Sequence, residues 1–247
     1  MTNNQLYISD ALSNGWNLWK KHCLLFAVAF FGISTITYFL KVGIELPFSL
    51  TQLNNDLIFQ NKTHTIYDLN YWESFFKSGQ WVGKFVASFI SSIIIYPFIT
   101  GLENCILNIN KGIDHEFSLK GYKMPIATYL KCFVIDFIVG TICMVGYLFF
   151  IIPGIYLNAR LIFAKTCQLD NKETDITECI KRSWEMTNGN VLTIIGLKIL
   201  YFGIKILGVM ACCIGLYFAL PLTQFIHNDA YFQLKGNIQT NTIEYQQ

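Results

Sequence analysis

Two stretches of 18 residues without a charged side chain constrain the fold of this chain more than any other feature. They cover residues 23–40 and 85–102, and apolar residues dominate both. About 18 consecutive apolar residues are enough for a helix to cross the hydrocarbon core of a bilayer. A water-soluble domain has no way to bury several such runs. The sequence therefore predicts an integral membrane protein.

The composition supports this prediction and narrows the partners. Only 14% of the residues are charged, whereas ordinary soluble domains carry about a quarter. The net charge of +2 and the lack of an arginine-rich face argue against nucleic acid as a partner. Membrane lipid, including anionic headgroups, is the expected partner. The sequence identifies no protein partner.

Residue patterns that would announce an enzyme or a metal site are missing from the sequence. The eight cysteines form no CxxC pair and have no metal-ligand spacing with the four histidines. There is no HExxH, Walker loop or serine elbow, and His227-Asn228-Asp229 stands without the other members of a catalytic set. We therefore predict no catalytic residue, no metal site and no cofactor, and a non-enzymatic role is the better interpretation.

The hydropathy pattern predicts an all-α fold, a polytopic membrane bundle in one domain over residues 1–236 with a polar cytoplasmic tail at 237–247. The predicted spans are about 22–41, 84–108, 126–150, 154–169, 191–210 and 211–233. A tight turn is predicted at Pro153-Gly154. The fourth span is short and carries Arg160 and Lys165, so it need not be a regular spanning helix.

Two further segments have the pattern of amphipathic helices. Residues 9–21 place Leu12, Trp16 and Trp19 on one face, which is typical of a helix in the membrane interface. Residues 174–188 form the clearer pattern, with Thr174 as the expected cap and the charged residues opposite the apolar ones. The polar segment 42–81 is predicted to be an extracytoplasmic loop.

Lysine and arginine set the expected orientation, since cytoplasmic loops keep the excess of these residues. With six spans, most of the loop lysines, together with Arg182, fall on the side of the N-terminus. Both termini are therefore predicted to lie in the cytoplasm.

An internal duplication is also indicated. Residues 11–18 and 179–186 match in apolar pattern and in a tryptophan, Trp16 and Trp184, and each lies just before a span. At identical spacing, Pro97, Asn104, Lys111 and Gly112 recur as Pro221, Asn228, Lys235 and Gly236. Two copies that enter the membrane from the same side would be related by an axis along its normal, as in parallel-repeat transporters. Chance recurrence in a chain of this composition is the alternative.

A few polar residues lie within the predicted spans and form the candidate site: Asp136, Arg160, Lys198, Asn104 and Asn228. An unpaired charge at the bilayer centre costs about 2.5–3.5 kcal/mol, so each charged member needs a partner or water. Asp136 and Lys198 are at similar expected depths and are predicted to pair. The functional interpretation is a site for an ion or an anionic lipid, and the structural one, which we favour, is an interhelical salt bridge or a headgroup contact.

The second half of the chain resembles a known family. It carries Ile-Ile-Pro-Gly-Ile-Tyr-Leu at 151–157, an acidic turn at Leu169-Asp170, and the pattern K-R-S-W-x-x-x-x-G-N at 181–190. In these motifs it resembles the YciC-type bacterial inner-membrane proteins and is similar to the membrane domain that precedes some glycerophosphodiester phosphodiesterases. The resemblance implies a multi-pass protein of the bacterial cytoplasmic membrane and carries no catalytic residues.

Three functions remain open from the sequence. The first is a non-enzymatic component that supports membrane or envelope lipid organisation. The second is a small transporter or permease with parallel repeats, and the third is a lipid-processing membrane enzyme. The absence of a catalytic pattern favours the first.

Overall fold

The computed structural model describes residues 5–58, 80–113, 123–211 and 214–244. Their secondary structure is helical, and the predicted all-α membrane bundle is confirmed for this part of the chain. The helices are α1 Ile8–Ile58, α2 Gln80–Asn110, α3 Ile126–Phe149, α4 Ile151–Arg160, α5 Ala164–Asp170, α6 Ile176–Met186, α7 Val191–Met210 and α8 Ile214–Glu244.

Among the described residues, four segments are long and apolar enough to cross a membrane: Ile8–Gly43, Ser88–Asn110, Ile126–Phe149 and Val191–Met210. They belong to α1, α2, α3 and α7. The last two leave large apolar side chains exposed, for example Leu148 at 82% and Leu192 at 85%. Exposed apolar surface of this extent suits contact with lipid tails. The protein is therefore a membrane-embedded, multi-pass helical protein.

The first helix is longer than the sequence indicated. The predicted interfacial helix at 9–21 and the predicted span at 22–41 are one continuous helix, because no proline separates them. The helix continues to Ile58, whereas the sequence predicted a loop from residue 42. The remainder of that predicted loop, up to residue 79, lies outside the described residues.

Three helices lie close to their predicted bounds. α2 contains the segment 84–108 with Pro97 inside the helix, α3 lies within 126–150, and α7 coincides with 191–210. A proline inside a membrane helix is tolerated where neighbouring groups satisfy the freed carbonyl.

The predicted bounds of the second amphipathic helix and of the C-terminal segment need correction. α6 begins after Asp175 rather than at Thr174, whose side chain is buried. α8 starts at Ile214 and continues through Glu244, so residues 237–244 of the predicted tail extend this helix.

The predicted fourth span is two short helices instead of one. α4 has 10 residues and α5 has 7, so even α4 is only about 15 Å long, half the hydrocarbon thickness. The turn expected at Pro153-Gly154 was also wrong. The chain breaks at Phe150, which has φ −160° and ψ 149°, and Pro153 lies in the first turn of α4, where a missing N–H costs nothing.

The chain divides into two compact units, Phe31–Ile99 and a larger one made of Met1–Phe30 and Thr100–Gln247. The larger unit holds the hydrophobic core. Its buried residues come from α1 and from α3 to α8, and they include Phe163, Leu197, Ile226 and Tyr231. All of the polar contacts described below lie in this larger unit.

Candidate functional site

The junction between α4 and α5 is built by side chains of α6. The Ser183 hydroxyl donates to the Arg160 carbonyl at 2.9 Å and accepts the Phe163 N–H at 3.2 Å. The Thr187 hydroxyl lies 3.3 Å from the same Arg160 carbonyl. A helix break exposes backbone groups that need partners, and these two hydroxyls supply them. The serine of the K-R-S-W pattern therefore holds the interrupted helix together.

Arg160 is buried at 5% exposure and is held against aromatic rings. Its guanidinium lies 4.2 Å from the centroid of the Trp184 ring and 5.8 Å from that of Tyr156. Its Nη1 is 3.5 Å from Oδ1 of Asn188. A buried guanidinium over an indole face gains about 2 kcal/mol when it is desolvated. Arg160 is thus accounted for by packing against the tryptophan of the same pattern.

Two lysines and a tyrosine contact the Asp170 carboxylate at the end of α5. The Lys111 ammonium lies 2.6 Å from its Oδ1, and Lys235 contacts its Oδ2. The Tyr231 hydroxyl donates to Oδ2 at 2.8 Å. Asp170 is therefore the acid of the motif's acidic turn, and it links the end of α2 to α8.

The charge state of Asp170 follows from these contacts. Burial by itself raises the pKa of this carboxyl. The hydrogen bonds from Lys111, Lys235 and Tyr231 outweigh burial, and the pKa of Asp170 is lowered from its ordinary value of 3.8. The group is a carboxylate at neutral pH.

The two lysines at this junction are equivalent positions of the predicted repeat. Of the other pairs, Pro97 and Pro221 both lie inside helices, and Asn104 and Asn228 are both buried at 1% exposure. The glycines differ, since Gly112 ends α2 with φ +70° whereas Gly236 continues α8. The asparagine pair thus shares its burial and the lysine pair shares its partner Asp170, whereas the glycines differ in backbone conformation.

Asp136 does not pair with Lys198, and that prediction was wrong. Its Oδ2 lies 3.0 Å from the Lys165 ammonium, which is also 2.7 Å from Oε2 of Glu103. Lys165 comes from α5, because the break after α4 turns this short helix toward α2 and α3. Sequence reasoning placed Lys165 in a doubtful span and overlooked Glu103.

Lys198 is instead bound to α4 and lines a cavity. Its ammonium donates to the Asn158 carbonyl at 2.7 Å and also contacts Oδ1 of Asn158. The cavity has a volume of about 340 Å³ and lies among α7, α8 and the α4–α5 turn. Its lining residues are Ile162, Lys198, Tyr201, Phe202, Lys205, Thr223, Gln224 and His227.

The five candidate residues from the sequence therefore do not form one site. Asp136, Arg160 and Lys198 belong to three separate contacts, and Asn228 accepts a 3.5 Å hydrogen bond from Gln224 on its own helix. Sequence reasoning missed the partners of these residues, Lys165, Trp184 and Asn158. It also did not name Asp170 or Tyr201 as candidate site residues. The recurrence of Lys111 at Lys235 was the one sequence signal that pointed to the Asp170 junction.

Comparison with known proteins relates this part of the chain to an enzyme's membrane domain. Residues 119–238 match the family described as "Membrane domain of glycerophosphoryl diester phosphodiesterase". The match covers slightly less than half of the chain and includes the α4–α5 break, Asp170 and the cavity residues. It confirms the predicted similarity to this domain, whereas the YciC-type relation stays a prediction. No curated protein and no solved structure matches the chain.

Proposed function

We propose that the protein is a non-enzymatic component of a bacterial cytoplasmic membrane that binds phospholipid and supports lipid organisation in the envelope. Both termini lie in the cytoplasm in this proposal. The matched domain takes its name from an enzyme of glycerophosphoryl diesters, which contain the headgroup part of phospholipids. Lipid is therefore the chemistry that the match favours.

A non-enzymatic role is supported by the contacts that the motif residues make inside the protein. Ser183 and Trp184 hold the α4–α5 junction, and Asp170 is occupied by Lys111 and Lys235. A general acid, base or nucleophile has to reach a substrate. These side chains are instead consumed by contacts inside the protein, so they support a scaffold rather than a catalytic centre.

Purification in mild detergent followed by phosphorus analysis tests this function. We expect phospholipid to remain with the protein after washing, in a defined molar ratio. We also expect no hydrolysis of phospholipid or glycerophosphodiester by the same preparation. Protein that retains no phospholipid, or that cleaves it, would contradict the proposal.

A small transporter is the second candidate, and one observation favours it. Lys111 and Lys235 occupy equivalent repeat positions and contact the same carboxylate, as two copies arranged about a common axis would allow. Reconstituted vesicles distinguish the candidates, because a transporter releases an entrapped organic anion and a lipid-organising component does not.

A further inference from the structure

The cavity beside α7 presents hydrogen-bond donors from one helical face. Lys198, Tyr201, Phe202 and Lys205 follow the spacing i, i+3, i+4 and i+7, which places them on one side of the helix. The two lysines are separated by about 10 Å of helical rise. Both lysine residues line the same cavity.

Two of these donors have unused hydrogen-bonding capacity. The Tyr201 hydroxyl is buried and has no hydrogen-bond partner among the residues that the structure describes. Lys198 spends two of its three donors on Asn158. A buried hydroxyl without a hydrogen-bond partner destabilises the folded protein. A ligand oxygen in the cavity would remove this cost.

The lining also defines the charge of the ligand. None of the lining residues is acidic, and three of them, Lys198, Lys205 and His227, have basic side chains. His227 is already engaged with the Thr166 hydroxyl at 3.0 Å. An anion fits such a lining, whereas the ammonium of a zwitterionic headgroup would face two lysines without an opposing carboxylate.

The cavity has an apolar, exposed margin. Phe202 is 67% exposed and Lys205 is also exposed on the same helix. α7 is one of the candidate membrane spans, so this margin lies where acyl chains would run. A ligand that combines an anionic head with an apolar tail matches both parts of the cavity.

We propose that this cavity binds the phosphate of an anionic, non-zwitterionic phospholipid headgroup, with Lys198, Lys205 and Tyr201 donating to its oxygens. This inference rests on the proposed function and adds to it the site and the lipid class. Lys198 and Tyr201 orient the phosphate from the inner wall, and Lys205 closes the exposed side.

Lipid titration of the purified, delipidated full-length protein tests the proposal. The probes are short-chain phosphatidylglycerol and phosphatidylcholine of the same chain length, with binding followed by native mass spectrometry and by the shift in Tm. We expect wild-type protein to bind phosphatidylglycerol at least about tenfold more tightly, as one or two charge-assisted hydrogen bonds would give.

Two substitutions test whether the preference for phosphatidylglycerol depends on the cavity. Lys205→Gln and Tyr201→Phe are each expected to reduce it by about threefold to tenfold. Tyr201→Phe removes a hydroxyl that has no hydrogen-bond partner in the described part of the chain, so the lipid-free protein should keep or slightly raise its Tm. Lys181→Gln is the matched control, because the Lys181 side chain is 77% exposed on α6 and its loss should leave the preference unchanged.

The outcomes separate the two proposals. Equal binding of both lipids, or an unchanged preference in both cavity variants, would overturn the headgroup site while the proposed function stands. Complete failure to bind either lipid would overturn both. Inorganic phosphate that raises the Tm as much as phosphatidylglycerol at equal concentration would identify a free anion as the ligand and refute the headgroup assignment.

Discussion

The ammonium of Lys111 lies 2.6 Å from Oδ1 of Asp170, whose side chain is only 6% exposed. Lys235 contacts the other carboxylate oxygen from α8. One buried acid thus joins two lysines that the sequence places at equivalent repeat positions. The first two predictions below concern this junction.

Replacing Asp170 by asparagine should destabilise the protein by about 1–3 kcal/mol, because the two ammonium groups and the Tyr231 hydroxyl lose a charged hydrogen-bond acceptor while both lysines keep access to solvent. Lys111 and Lys235 would then face each other without the carboxylate between them. Thermal unfolding of the purified protein in detergent measures the loss. Asp175→Asn is the control, since Asp175 is exposed and makes no side-chain cap hydrogen bond. Equal Tm values for the two variants would contradict the role of Asp170.

The same junction predicts a dependence on acid pH. The pKa of Asp170 is lowered from 3.8 by its hydrogen bonds, so the unfolded chain takes up the proton at a higher pH than the folded protein. Its stabilising contribution is therefore complete well above pH 3.8, begins to decline near that value and is lost as the pH falls through the lower pKa of the folded protein. The Tm difference between wild type and Asp170→Asn should shrink in acid. A difference that grows on acidification would refute this assignment.

Asp136 should couple energetically to Lys165 and not to Lys198. Their side chains are 3.0 Å apart, and residues in direct contact give interaction energies of about 0.5–3 kcal/mol in double-mutant cycles. We expect Asp136→Asn and Lys165→Met to be non-additive in thermal stability. The cycle with Lys198→Met serves as the control and should be additive, since Lys198 is bound to Asn158. Coupling in the second cycle alone would restore the pair expected from the sequence.

Gly15 lies where α1 touches α8, and its replacement by alanine should destabilise this contact. A Cβ at Gly15 would lie 2.7 Å from Cγ1 and 2.9 Å from Cα of Ile226. Overpacking against backbone costs about 1–3 kcal/mol. Gly203→Ala is the matched helical control, because a Cβ there meets no atom within 4 Å. The measurement is again the Tm in detergent, and a harmless Gly15→Ala would show that the two helices can separate without cost.

The proposed orientation places α6 in the cytoplasm and the end of α7 on the other side of the membrane. Single cysteines at Lys181 and Ala211, in a background without the native cysteines, test it in intact cells. An impermeant thiol reagent should label the cysteine at position 211 from outside, whereas position 181 should react only after the cells are opened. Labelling of both positions from outside would reject the orientation.

The sequence predicted those helices whose apolar pattern is uninterrupted. α3 and α7 were placed within one residue because their boundaries coincide with the change from polar to apolar residues. The break between α4 and α5 was not predictable in the same way, because it depends on hydroxyls of Ser183 and Thr187 that arrive from a later helix. Local pattern contains no information about such long-range partners.

For the candidate site, too, the sequence identified some residues and not the partners that they contact. The costly polar residues were identified from composition alone, since a charge in an apolar run is visible in the sequence. Their partners were not, because Asp136 and Lys198 seemed equivalent in depth while the broken helix brings Lys165 to the first and Asn158 to the second. The repeat placed Lys111 and Lys235 at equivalent positions, but it predicted no contact of either lysine with Asp170.

The dependence of the α4–α5 break on α6 also sets an order for biogenesis. When the ribosome has just completed α5, Arg160 has neither Trp184 beneath it nor Ser183 on its carbonyl. Two helices this short and carrying a guanidinium and an ammonium are poor substrates for direct insertion into lipid. The contacts that hold the α4–α5 break in the folded protein can therefore form only after Thr187 has been translated.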